Sequence, residues 1–381
     1  MNHVAHGSLA IRGGRDLAGE PFDLDIVDGV IAPRGGAEPD RVVSAVGLTV
    51  VPGYIDLQVN GAAGCDLTAS PDRMWEVAAA LPVYGVTSFL PTIVTSSRAT
   101  VDAGMRVLAT GPPTGWRGAR PIGLHLEGPM IAASRSGAHV TADIVLPSLA
   151  VIHGWSRDAG VAMVTLAPEL PGATAVIAEL VCRGVVVAAG HTDADADQAR
   201  TAADVGVSAV THLFNAMAPM HHRDPGLVGA VLSGLPLVAG LIADGVHVDP
   251  DAFRLAWTAL GPSRRLLVSD AVAALGAPPG RYVLASRQIV SDGGGSRTLE
   301  GGLAGGVSGL GACVGNCVAM TGCALSEAVA AATVTPARLL GRPELGVLRP
   351  GAAGDVVMLD ARHQVVATVV SGVVVFRRPE C

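Results

Sequence analysis

Several apolar runs in this sequence stop at a residue that can hold a metal ion or move a proton. "GLHLEGP" reaches Glu127, "VVVAAGH" reaches His191, "AVTHLFNAM" carries His212 and "LLVSD" stops at Asp270. One carboxylate and two imidazoles are a common ligand set for a catalytic zinc ion, with a position left open for water. An ion held there lowers the pKa of bound water toward about 7. Asp270, not needed as a ligand, is then free to take a proton from that water and pass one to a leaving group. Such a combination hydrolyses amides and esters. Each residue alone has a plainer reading. A His after an apolar run is commonly hydrogen-bonded in a core or rim, and an Asp after a strand commonly caps a helix. The recurrence of the pattern carries the argument.

Other residues are candidates for the same place. "YIDLQVNG" sets Gln58 and Asn60 two apart, hence on one face of a strand. His125 lies two before Glu127 and faces the same way; it either supports a ligand or is a satisfied buried imidazole. His139 sits in the loop "SRSGAHV" and His247 in "ADGVHVD". "HHRDPGLVGA" gathers His221, His222 and Arg223. A short basic loop is often only surface, but the forked donors of Arg suit phosphate. Adjacent His side chains rarely converge on one ion.

These residues act together only if the fold brings the ends of the runs together. In the middle of the chain, short apolar strands alternate with Ala-rich helical stretches, such as 72–84 and 193–205, which predicts parallel βαβ units. The strands fall near 51–58, 86–92, 121–127, 161–168, 185–191, 208–212, 237–244 and 265–270. Eight is the number a closed (β/α)8 barrel requires, and such barrels place their active sites at the carboxyl ends of the strands. Both chain ends have a different, short-stranded β texture. The expectation is an α/β protein: a TIM-like barrel over residues 53–344, with a small β-sandwich-like domain built from 1–52 and 345–381.

Composition limits the alternatives. Half of the residues are hydrophobic and only 15% are charged, against a usual quarter or so, so much of the chain is buried. A net charge of −7 leaves no electrostatic footprint for nucleic acid. All 26 basic residues are Arg; without Lys there is no Schiff-base lysine, no P-loop lysine and no carboxylated-lysine metal bridge. Cys313 and Cys317 are four apart in an apolar run and read as helix core. The Cys spacing fits a reducing cytoplasm. The chain start lacks the basic and apolar regions of a signal peptide. The uncharged run 225–243 contains Pro236 and several Gly, and reads as a buried helix and strand, not a membrane span.

The motifs resemble the amidohydrolase superfamily, and within it the deacetylases of N-acetylglucosamine 6-phosphate. "PGYIDLQVNG", "GVTSFLPTIVTS", "GLHLEGP", "VTLAPE", "AAGHTDA", "THLFNAM", "RDPGLVGA", "GLIADGVHVD" and "LLVSDA" carry the likeness, with "TPARLLG" and "GVLRPGAAGDVVMLD" near the end. The resemblance implies one divalent metal, zinc first, on Glu127, His191 and His212, with iron, manganese or cobalt as alternatives. It implies Asp270 as base and then acid, His139 polarising the acetyl carbonyl, and His247 at the sugar. Asn215 and Ala216 would meet the phosphate, and Arg223 would reach the phosphate in the neighbouring subunit of a homodimer. Where many amidohydrolases have a His-x-His pair, Gln58 and Asn60 stand as the remnant of a second metal site, expected to hold water. The loop before His139, often basic in that family, here holds only Arg135. Two alternatives stand beside this expectation: a deacetylase of another N-acyl amino sugar, such as N-acetylgalactosamine 6-phosphate, and a ligand-free scaffold.

Overall fold

Parallel strands buried on both faces need no polar alternation, and the strands in the middle of this chain are mostly apolar, with their polar residues buried. In the computed structural model, which describes residues 7–35 and 38–379, they form a ring in chain order. They are β1 (Tyr54–Val59), β2 (Val86–Val94), β3 (Leu124–Glu127), β4 (Val161–Leu166), β5 (Val186–Ala189), β6 (Ala209–Val210), β7 (Val238–Ile242) and β8 (Arg265–Val268). The first six residues, part of the predicted 1–52 segment and of the start that was read for a targeting signal, lie outside the described residues.

Outward side chains of the ring, among them Leu126, Val164, Leu166 and Val187, pack against Val176 and Leu180 of the helix Ala173–Cys182 and Phe253 and Trp257 of Pro250–Leu260. Each such side chain contributes about 1.5–3 kcal/mol by leaving water. Alternate residues, including Leu90, Met163, Val186, Ala188 and Ala209, form a second cluster. Helix Ala196–Val205 starts later than the predicted 193–205 because Asp195 caps it, taking the N–H groups of Asp197 and Gln198. The run 225–243 divides into helix Gly226–Leu232 and strand β7. Among the described residues no helix is long and apolar enough to cross a membrane.

The ring differs from the expected one in three ways. The predicted strand 51–58 is two strands. Thr49–Pro52 pairs antiparallel with Val356–Leu359 in another sheet, and β1 begins at Tyr54. Gly53 makes the transfer possible: a Cβ there would lie 2.2 Å from Thr87 Oγ1. Second, β5, β6 and β8 stop short, so His191, His212 and Asp270 stand beyond the ladders in left-handed backbone, with φ of 50°, 30° and 50°. Third, an antiparallel sheet of Gly280–Leu284, Arg287–Ser291 and Ser296–Thr298 follows β8. It is anchored by the Ala285 N–H on the Asp66 carboxylate (3.1 Å) and by Arg287 on the Gly137 carbonyl (3.2 Å).

The second large sheet is mixed and joins the two chain regions flanking the ring. Leu9–Arg15, Pro21–Val27, Val30–Ala32, Arg41–Ser44 and Thr49–Pro52 share it with Val356–Leu359, Val365–Val370 and Val373–Arg377. It has its own core of Ile11, Ile26, Val50, Met358 and Val369. The buried Asp355 carboxylate, paired with Arg120, ties this sheet to the ring.

The ring closes by side chains as much as by ladder. Between β8 and β1 there is an isolated parallel bridge, Val59 to Ala271. Below it the buried Asp56 carboxylate accepts the N–H groups of Ser269 (3.2 Å) and Gln58 (3.3 Å). Burial outweighs these bonds and pushes its carboxyl up to about 7. The folded state thus holds this proton more tightly than the unfolded chain. The stability that the proton contributes is full below the ordinary carboxylate range and is lost as pH rises toward about 7. Asp56→Asn keeps an acceptor for both N–H groups and removes the titration. Melting temperatures at pH 5 and pH 8 should show Asp56→Asn gaining on the wild type at the higher pH. An equal difference at both would contradict the role given to Asp56.

Candidate active site

Glu127, at the end of β3, is the centre of the site. Its Oε1 lies 3.2 Å from His191 Nε2 and 3.0 Å from His212 Nε2, and the two imidazole nitrogens are 3.2 Å apart. Ligand atoms about 2.0–2.2 Å from a shared zinc ion stand roughly 3.3 Å apart in a tetrahedral site. The donor chemistry and the spacing both fit a divalent cation.

The surroundings decide which nitrogen faces inward. His191 donates from Nδ1 to the Arg135 carbonyl (2.8 Å), which leaves the Nε2 lone pair aimed at the centre. Buried His212 Nδ1 has no partner, so what meets its Nε2 sets its tautomer. A different donor grouping, Glu127, His139 and His191, is also geometrically close. Hydrogen bonding argues against His139 as a ligand. The Thr95 backbone N–H donates to His139 Nδ1 (3.3 Å), so in the neutral ring the proton is on Nε2. Burial and the neighbouring imidazoles keep that ring neutral, with its pKa pushed down to about 3. His139 Nε2–H is therefore a donor on the pocket face, 3.9 Å from Glu127 Oε2. The adjoining Gly128 has φ of 93°, and a Cβ there would meet the Thr95 hydroxyl at 2.2 Å.

Asp270 faces the same cavity of about 380 Å³. Burial raises its carboxyl to about 6, with the Glu127 charge adding to the effect and His212 opposing it. Asn60 donates its amide to Asp270 Oδ1 (2.8 Å), and Gln58 donates to Glu127 Oε1 (3.0 Å). The two amide nitrogens thus bind the carboxylates, while the buried Asn60 Oδ1 has no protein partner. A donating NH2 has no lone pair for a cation. Asn215, Ala216 and His247 line the cavity, with Phe214, Leu284, Thr298 and Leu303. Phe214 and Ala216 have φ of 79° and 50°, and each non-glycine residue in this region costs about 1–2 kcal/mol. That strain clusters where the strands hand over to the pocket.

The structure leaves some candidates outside. Arg223, exposed, bonds to its neighbour His222 (2.9 Å), and neither they nor His221 line the cavity. Arg135 gives its guanidinium to Asp193. His125 lies beneath the site between Thr92 and Thr165 (3.3 and 2.7 Å), a buried imidazole pushed down to about 4. Two contributors were missed. Asp244 holds His247 through Nδ1 (2.7 Å) and accepts its backbone N–H; the Asp three before His in "ADGVHVD" was the available signal. Thr95 orients His139, and no pattern in the sequence marks it.

Comparison with known proteins agrees with this geometry. Residues 49–375 match the amidohydrolase family. The chain is 40% identical to N-acetylglucosamine-6-phosphate deacetylase of Danio rerio, covering 89% of this chain and 87% of that protein. It is 37% identical to N-acetylgalactosamine-6-phosphate deacetylase of Escherichia coli O157:H7, covering 90% and 91%. It superposes with a TM-score of 0.86 and 35% identity on a mutant N-acetyl-D-glucosamine-6-phosphate deacetylase of Mycobacterium smegmatis in complex with N-acetyl-D-glucosamine-6-phosphate, covering 97% of this chain and 99% of that one.

The donor triangle has its own proton chemistry. Burial opposes charge on His212, yet the Glu127 carboxylate outweighs it and raises the imidazole pKa above its ordinary value. An incoming cation must displace that proton. Zinc affinity should therefore fall as pH drops through the raised value. Calorimetric titration in two buffers of different ionisation enthalpy should register proton release on binding. Binding with no proton release, unchanged with pH, would contradict this account of His212.

Proposed function

The chain belongs to the amidohydrolase family, and on that premise we propose that it deacetylates N-acetylglucosamine 6-phosphate, yielding glucosamine 6-phosphate and acetate. The observation that carries this reading is a second carboxylate, Asp270, in one pocket with the Glu127–His191–His212 triangle and held on its own amide. Glu127, His191 and His212 would hold one divalent ion, zinc first among zinc, iron, manganese and cobalt. Such an ion supplies Lewis acidity at the acetyl carbonyl and makes water more acidic.

Asp270 takes a proton from the attacking water. Its raised pKa of about 6 makes it a stronger base than an ordinary aspartate, yet ionised at neutral pH. His139 donates from Nε2 to the carbonyl oxygen as negative charge develops there. Asp270 then returns the proton to the amide nitrogen, the C–N bond breaks, and the amine departs. His247, held by Asp244, contacts the sugar; Asn215 and the Ala216 backbone receive the phosphate. Arg223, outside its own pocket, serves the neighbouring pocket in a homodimer with a self-complementary interface. Neutral amides are poor substitutes for imidazoles at a transition metal, so we read the site as holding one ion, with Gln58 and Asn60 holding water where a second would sit. We place the reaction in the cytoplasm, consistent with the free thiols of Cys65, Cys182, Cys313, Cys317 and Cys323.

The relative named for the galactosamine sugar supports a second reading, that the preferred substrate is the C4 epimer. Acetate release from both epimers, with and without the phosphate, separates the two; faster turnover of N-acetylgalactosamine 6-phosphate would reverse our assignment. Asp270→Asn should lower kcat by about 10²–10⁴-fold with metal content unchanged at about one ion per chain. Ordinary turnover by that variant, or two stoichiometric ions in the wild type, would sink the mechanism. Arg223→Ala should raise KM for phosphorylated substrates alone; an equal effect on unphosphorylated ones removes its phosphate role.

A further inference from the structure

The motif "VTLAPE" ends on Glu169, a residue to which the mechanism gives no task. Glu169 lies just beyond β4, and its two oxygens accept the Thr192 hydroxyl (2.5 Å) and the Asp193 backbone N–H (2.7 Å). These bonds fix the two residues that follow His191. The Asp193 side chain in turn accepts the Ser134 hydroxyl and Arg135 Nε. The Arg135 backbone carbonyl accepts Nδ1–H of His191 (2.8 Å), and the His191 carbonyl accepts the Ala132 N–H (2.9 Å). The contacts form a closed circuit, from His191 through residues 192–193 to the 132–135 segment and back to the His191 ring.

Surface pairing alone does not account for the circuit. Arg135 and Asp193 are 31% and 36% exposed, and an ion pair so exposed contributes about 0–1 kcal/mol. What the pair does fix is the position of the Arg135 carbonyl. His191 has φ of 50°, a conformation that persists only where its surroundings over-determine it.

We propose that Glu169 and Asp193 are positioning residues for His191. By holding the loop after β3 against the loop after β5, they keep Nδ1 protonated and Nε2 aimed at the centre. The proposal rests on the reading of Glu127, His191 and His212 as metal ligands.

Zinc affinity of the full-length protein, measured by competition with a chromophoric chelator, tests it. Asp193→Ala and Glu169→Ala should each weaken binding by about 10–100-fold, the usual effect of losing an outer partner of a ligating His. The double variant should lose little more than either single one, because both act through one circuit. Asp193→Asn, which keeps an acceptor oxygen, should recover most of the affinity. Metal-free melting temperatures should stay close to wild type, separating this effect from general destabilisation. If Asp193→Ala does not fold, Glu169→Ala carries the same comparison. Alanine variants that bind zinc within twofold of wild type would overturn the proposal and leave the ligand set standing. So would losses that add fully in the double variant, or an Asp193→Asn as weak as Asp193→Ala. A wild type that binds no zinc removes the ligand reading, and this proposal with it.

Discussion

Glu127 is a carboxylate buried at the centre of a barrel, and a buried charge must be matched or it neutralises. Burial alone would raise its pKa, yet the two imidazoles hold it well below the ordinary range. One oxygen faces two imidazole nitrogens and the Gln58 amide. The other partners are arranged around that fact. Asp270, also buried, is kept on a separate amide, and the two carboxylates differ in proton affinity in opposite directions. One is suited to remain an anion beneath a cation and the other to exchange a proton, a division set by environment and not by residue type.

Holding those partners requires a frame that does not give. Three of the converging side chains project from left-handed residues just past their strands, positions that a free chain rarely occupies. The parallel ladders, the helices packed outside them and the loop contacts at Thr95, Asp244 and Arg135 supply the constraint. The three-stranded sheet after β8 completes the pocket wall through Leu284 and Thr298.

Much of this was legible in the sequence. Apolar runs alternating with Ala-rich stretches mark a barrel because strands buried on both faces leave no other pattern. The convergence of Glu127, His191, His212 and Asp270 followed from their places at the ends of those runs. Other features depended on distant contacts and left no local trace. Gly53 hides a change of sheet inside one continuous apolar run, since the run looks the same whichever partner it finds. The sheet at 280–298 takes its position from Asp66 and Gly137, far away in sequence. The polarity of Gln58 and Asn60 was plain, but that both amides bind carboxylates is a matter of side-chain reach across the ring. Arg223, expected from the resemblance to serve a neighbouring subunit, does lie outside its own pocket.

The mixed sheet has a consequence for how the molecule comes apart. Thr49–Pro52, which leads into the ring, is hydrogen-bonded to Val356–Leu359, which comes after it. The barrel is thus a long insertion whose two ends are buttoned together. Neither end can fray without opening that ladder, and closing so long a loop costs only slightly more than closing a short one. The same arrangement sets an order of events on the ribosome. The strand at 49–52 meets its partner at 356–359 only after every strand of the ring has been made, so the clasp that secures the barrel is available only once the barrel's own strands are.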